Sequence, residues 1–158
     1  MKIQAGKEKV TIIPAKAPRN VPGKPSHQKL RVAAYCRVSS EKDEQLNSFE
    51  VQVSYYTEKI GGNPAWKMAG IYADEGITGT SMKHREDFKR MLRACREGRI
   101  DLILCKSVSR FGRNSVDVLR TIRALRERGI GVMFEKEGVD TRTMNSELIL
   151  AFHSAFSQ

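Results

Sequence analysis

The chain has 158 residues, of which 40% are hydrophobic and 29% charged, a balance suited to one soluble globular domain with a single core. Lys and Arg total 28 against 18 Asp and Glu, for a formal net charge of +10. That excess calls for a polyanionic partner, nucleic acid before an anionic membrane surface, and the lack of any long apolar run or apolar N-terminal core speaks against a membrane span or a signal peptide. Cys36, Cys95 and Cys105 are widely spaced and form no CxxC pair, which excludes a zinc ribbon or disulfide framework and fits a reducing cytosol.

Residues 1–30 hold seven cations, one acid (Glu8) and four of the five prolines. This composition resists both helix and central strand, so residues 1–29 read as a flexible basic arm. Leu30 to Val38 is apolar without clean alternation, as expected of a strand buried on both faces. A helix follows, capped at Ser48, carrying Phe49, Val51, Val53, Tyr56 and Ile60, and stopping at Gly61. Lys67 to Tyr72 reads as a second strand and residues 74–80 as a loop.

Phe88, Met91, Leu92 and Cys95 give a helical stripe that ends at Gly98. Ile100 to Cys105 is the clearest buried strand, followed by a loop over 106–114. Val116, Leu119, Ile122 and Leu125 predict a helix running to Gly129, and Gly131 to Phe134 a fourth strand. A further helix is expected from Ser146, with Leu148, Ile149, Phe152 and Phe156 on one side. The alternation of strand and helix predicts an α/β fold: a mostly parallel sheet of four to five strands flanked by helices, over residues 30–145.

Ligands of such sheets bind beyond the carboxyl ends of the strands. Three polar loops are expected there. The first brings Arg37, Ser39 and Ser40, the second Arg85 near a helix start, and the third Ser109, Arg110 and Arg113. A hydroxyl among guanidiniums suits phosphoryl transfer, because Arg stays protonated and grips phosphate bidentately. The three histidines have no ligand spacing and no acidic cluster recurs at metal-site intervals, so no metal and no cofactor is expected. Neither a phosphate-loop lysine nor GxGxxG is present, and no histidine falls on a strand-end loop to serve a Ser-His-Asp triad.

Tyr35-Cys36-Arg37-Val38-Ser39 resembles the Tyr-x-Arg-Val-Ser signature of the serine site-specific recombinases, the resolvase/invertase superfamily. The segment 109–114, Ser-Arg-Phe-Gly-Arg-Asn, resembles that family's Arg-x-x-Arg element, and 74–79 with Arg85 its intervening Gly-x-Ser/Thr-Gly loop. Gln52 matches the family's glutamine on the first helix. The insertion between Ser39 and Gln52 and the basic leader look more like the large members. The resemblance implies that Ser39 attacks a DNA phosphodiester to leave a 5′-phosphoserine, without metal or ATP. Arg37, Arg110 and Arg113 would neutralise the transition state, while Arg85, Gln52 and Ser109 would contact the substrate. Ser40 is the local rival nucleophile. Many relatives carry Asp where this chain has Ser109, which leaves any carboxylate proton-transfer role without a residue.

The implied partners are double-stranded DNA at a recombination site and further copies of the chain. The implied setting is the cytoplasm of a bacterium or phage host, at the nucleoid. Residues 146–158 resemble the start of the family's long helix, which makes the chain an expected catalytic portion lacking its DNA-reading domains. A serine transposase with the same chemistry, a non-catalytic phosphate-gripping module and a flavodoxin-like regulator are the competing readings.

Overall fold

A computed structural model describes residues 28–39, 49–76 and 85–145. The expected basic arm, the N-cap at Ser48, Ser40, and the helix from Ser146 therefore lie outside the described residues, except for the arm's last two positions. The elements are β1 (Leu30–Ser39), α1 (Phe49–Gly61), β2 (Trp66–Gly76), α2 (Glu86–Arg96), β3 (Leu102–Cys105), α3 (Val108–Phe111), α4 (Ser115–Glu127), β4 (Gly131–Phe134) and β5 (Val139–Asp140).

The sheet order is β2-β1-β3-β4-β5. The first four strands are parallel and β5 runs antiparallel to β4. This is the mostly parallel α/β sheet the sequence predicts. The chain steps outward from β1 to β2, then crosses back to β3 on the other side of β1. That reversal leaves a crevice beyond the carboxyl ends of β1 and β3, the place where such sheets take ligands.

The central position of β1 explains its composition. Val32 to Cys36 are essentially inaccessible, and successive residues feed two separate cores. Val32, Ala34 and Cys36 join Leu102 and Leu104 under Tyr56 and Ile60 of α1. Ala33 and Tyr35 face the larger core, built with Phe88, Met91 and Cys95 of α2, Phe111 of α3, and Val118, Ile122 and Leu125 of α4. An edge-to-face series runs through that core: Tyr35 to Phe88 at 5.0 Å, Phe88 to Phe111 at 5.1 Å, and Phe111 to Phe134 at 5.5 Å between centroids. It fastens α2 and α3 to β1 and β4 directly beneath the strand ends.

Several boundaries differ from expectation for identifiable reasons. β2 continues to Gly76 instead of ending at Tyr72, because parallel pairing with β1 persists through Arg37–Asp74 and Ser39–Gly76. The polar residue that suggests a loop, Asp74, is in fact buried. β3 begins at Leu102: the Asp101 backbone still bonds to Arg31 and Gly131 on either side, while its carboxylate accepts from the Arg31 backbone and guanidinium at 2.9–3.0 Å. Within the expected loop 106–114, Ser107 caps the short helix α3, its hydroxyl accepting from the Arg110 amide at 3.4 Å. β5 has no counterpart in the sequence reading; it is secured where Thr141 Oγ1 accepts from the buried Val132 amide at 2.8 Å.

Val116 is exposed, and Val118 takes the expected core position. A strict three-residue repeat drifts by about 60° per step around a helix, so the first member of a series of four rotates out of the core. Helices α2 and α4 stop where expected, with Gly98 and Gly129 at φ +72° and +75° just beyond them.

Burial pushes the thiols of Cys36, Cys95 and Cys105 up to about 12, 11 and 12 from an ordinary 9.0. All three remain neutral structural thiols. The unfolded chain releases these protons from about pH 9 while the folded chain holds them, so the stability they contribute is complete below pH 9 and is lost as pH rises toward 11–12. In urea titrations under reducing conditions, the unfolding free energy is expected to fall between pH 9 and 11, with each thiol contributing up to about 1.4 kcal/mol per pH unit. A flat profile across that window would show the thiols to be solvated.

Candidate active site at the carboxyl ends of the parallel strands

Arg37 lies near the end of β1 with its side chain half-buried. Its backbone carbonyl anchors two neighbours. Arg110 Nη1, from α3, donates to it at 2.9 Å, and Gln52 Nε2, from α1, donates at 3.5 Å. Elements on opposite faces of the sheet thus meet at one peptide oxygen. Ser39 closes β1 two residues further on, its backbone paired with Gly76.

Arg85 stands immediately before α2. It donates through Nε to the Tyr35 hydroxyl at 3.2 Å and through Nη2 to the Phe111 carbonyl at 2.5 Å. Its guanidinium also lies over the Phe88 ring, 3.7 Å from the centroid. The Tyr35 hydroxyl in turn donates to Asp74 Oδ2 at 2.8 Å. Asp74 then accepts from the amides of Asp87 and Phe88 at 2.9 and 3.0 Å, capping α2 from a neighbouring strand. Asp87 returns the contact by accepting from the Ala73 amide at 3.0 Å. Burial is the main force pushing the Tyr35 phenol far above its ordinary range, only partly offset by Arg85. Tyr35 is therefore a neutral donor to Asp74 and a neutral acceptor for Arg85.

The electrostatics identify the cluster. Burial lowers the Arg37 pKa, and the charges of Arg113, Arg85 and Arg110 lower it further. Guanidiniums from the start of α2 and from the α3–α4 segment therefore lie close enough to Arg37 of β1 for their charge to reach it at the strand ends. Arg110 is anchored on one backbone carbonyl, and Arg85 on another and on a neutral phenol. Such acceptors orient a cation without cancelling its charge.

Gly112 sets the spacing of Arg110 and Arg113. A Cβ there would lie 2.7 Å from Val118 Cγ2, so the linker can lie this close to α4 only with glycine. Ser109 is exposed and pairs its hydroxyl with that of Ser107 at 3.0 Å. It serves the α3 cap, and among the described residues no hydrogen bond draws it into the arginine cluster. Residues 77–84, the heart of the second expected loop, lie outside the described residues.

Asp74 is not among the site residues expected from the sequence, and Tyr35 enters there only as the first residue of the Tyr-x-Arg-Val-Ser signature. The available signal was the period of β1: Tyr35 and Arg37 alternate onto one face, so a polar tip on Tyr35 had to meet a partner beside the arginines. Among the described residues no group of three His, Cys, Asp or Glu could hold a metal ion, and no helix is long and apolar enough to cross a membrane.

Residues 32–158 match the family model "Resolvase, N terminal domain". The chain belongs to this family. It is similar to the "Transposon Tn3 resolvase" of Escherichia coli, 26% identical over 132 residues, which is 82% of this chain and 63% of that relative. It is also similar to a "Resolvase/recombinase" of Pseudomonas putida, 24% identical over 130 residues and 64% of that protein's length. The chain thus spans under two thirds of these curated relatives. Among solved structures, a resolvase family site-specific recombinase from Streptococcus pneumoniae matches with a TM-score of 0.64 and 29% identity, covering 82% of this chain and 86% of that one. The N-terminal catalytic domain of TP901-1 integrase matches with a TM-score of 0.59 and 25% identity, covering 80% and 93%.

Two substitutions probe the network that holds Arg85. Asp74→Ala strips the acceptor from the Tyr35 hydroxyl and two amides, and should lower the unfolding free energy by about 2–4 kcal/mol. Tyr35→Phe leaves Asp74 its two amide donors and should cost about 1 kcal/mol. Urea denaturation ranks the two; equal effects would contradict the arrangement described.

Proposed function

We propose that the chain is the catalytic portion of a DNA recombinase that cuts and rejoins strands through a covalent phosphoserine. The observation that carries this reading is the gathering of Arg37, Arg85, Arg110 and Arg113 at the carboxyl ends of the strands, with Arg110 and Arg85 anchored on the Arg37 and Phe111 carbonyls. Family membership and the position of Ser39 at the end of β1 support it.

In the proposed step, Ser39 Oγ attacks a backbone phosphorus. The O–P bond to serine forms as the bond to the 3′ oxygen breaks, the serine proton is lost, and the departing 3′ oxygen gains a proton. The product is a 5′-phosphoserine and a free 3′ hydroxyl. A 3′ hydroxyl from the exchanged strand reverses the reaction, so the linkage energy is conserved and no nucleotide is consumed. Arg37, Arg110 and Arg113 stabilise the charge that accumulates on the non-bridging oxygens. Arg85, fixed by Tyr35 and the Phe111 carbonyl, orients the phosphate, and Gln52 steadies the Arg37 peptide. Double-stranded DNA at a recombination site is the proposed substrate. Self-association through residues beyond Ser146 is proposed on the apolar stripe of Leu148, Ile149, Phe152 and Phe156.

The test is the covalent adduct. The parent protein containing this chain, incubated with labelled site DNA, should give an SDS-resistant, protease-sensitive species. Ser39→Ala should abolish it while DNA affinity changes by less than about threefold, because phosphate contacts supply most of the binding. Arg110→Ala should slow adduct formation by about 100-fold or more. An adduct that survives in Ser39→Ala but disappears in Ser40→Ala would transfer the nucleophile to Ser40. No adduct from the wild-type protein on its proper site would favour the phosphate-gripping module.

A further inference from the structure

Helices α2 and α4 lie side by side on the large core and carry an excess of cations on their outer surface. Lys89, Arg90 and Arg99 have acidic partners in Glu86, Asp87 and Glu97. Arg93, Arg96, Arg120, Arg123 and Arg128 form no ion pair among the described residues. The arginines near the helix ends, Arg96 and Arg128, offset the negative ends of the helix dipoles. That effect reaches no further than the last turn and does not account for Arg120 and Arg123.

Between the helices runs a groove of about 320 Å³, with Leu92 and Ala124 on its surface and Arg96, Arg120 and Arg128 around it. Arg128 Nη1 donates to the Arg96 carbonyl at 3.5 Å, drawing the two walls together at one end. Both helices run antiparallel to the strands they connect, so their C-terminal ends lie at the sheet edge opposite Arg37 and Arg110. DNA held by the arginine cluster does not account for this face. An apolar floor ringed by guanidiniums that form no ion pair among the described residues is also a poor match for a phosphate backbone, which brings charge without aliphatic side chains.

We infer that the α2–α4 groove docks an acidic amphipathic segment of a protein partner, with aliphatic side chains on Leu92 and Ala124 and carboxylates on Arg96, Arg120 and Arg128. Forked guanidinium–carboxylate pairs around an apolar anchor combine orientation with burial. Residues 146–158 contain a single acid, Glu147, and do not supply these charges.

The test measures binding of a fluorescein-labelled helical peptide, rich in Glu with two Leu four residues apart, to the 158-residue chain. Arg96→Glu with Arg120→Glu should weaken binding by at least about tenfold. Lys29→Glu with Lys67→Glu changes net charge equally at exposed positions elsewhere and should weaken it by less than about threefold. A peptide of the same charge with Leu replaced by Ser should bind at least about tenfold more weakly than its parent. If the arginine pair unfolds the chain, Arg96→Gln with Arg120→Gln replaces it, with loss of binding again expected. Equal losses in the two charge-reversed pairs, or indifference to leucine, would overturn the inference. So would a selective loss of 20-base-pair duplex binding in the arginine variant, which would make the face a nucleic-acid surface. A dimer in sedimentation that this variant abolishes would assign the groove to a second copy of the chain.

Discussion

Guanidiniums brought close together repel one another, so the groups around them must fix their positions. Here the holding is done by peptide carbonyls and one phenol. Arg110 rests on the carbonyl of Arg37, and Arg85 on the carbonyl of Phe111 and the hydroxyl of Tyr35. A carboxylate in any of these places would fix the geometry equally well and remove the field. The nearby carboxylate, Asp74, stands one hydrogen bond further back, behind Tyr35. Its charge is directed to the first amides of α2. The Arg37 pKa is lowered first by burial and then by the charges of its neighbouring arginines.

The fold makes that arrangement affordable. Because β1 lies between β2 and β3, the segments leaving all three strands begin on the same edge. The aromatic series from Tyr35 through Phe88 and Phe111 to Phe134 fixes the helices just below it. Arg85 lies over Phe88, and its second anchor is the Phe111 carbonyl, so the same rings that build the core also set the height of the cation above the sheet. Packing and chemistry are continuous here, and a change in either ring is felt in both.

The strands and helices of the folded region were legible because burial enforces period and composition. Gly131 to Phe134 appears at the boundaries its residues suggest, as do the helix stops at Gly98 and Gly129. The readings that failed involve polar residues satisfied at long range. Asp74 looks like loop material until Tyr35 and the α2 amides are placed around it, and nothing in the local sequence pairs Asp101 with Arg31, seventy residues away. Ser107 is hidden as a cap because α3 is a single turn. For the site, the arginines stand out on the strand-end loops and again in the recombinase-like motifs, whereas the acceptors that aim them do not. Those acceptors are chiefly backbone oxygens, and every residue has one.

The reciprocal contacts between Asp74 and Asp87 carry one more implication. Asp74 holds the amides of Asp87 and Phe88 while Asp87 holds that of Ala73, so the chain before position 77 and the chain after position 84 are clasped at a common node. Closing the intervening span is thereby the task of the clasp and not of the span's own sequence. Entropy penalises a longer closure weakly, by about 0.6 kcal/mol per doubling of length. A change of length between these two positions therefore costs little in closure, so long as Asp74 and Asp87 keep the contacts that fix the start of α2 beside Arg85.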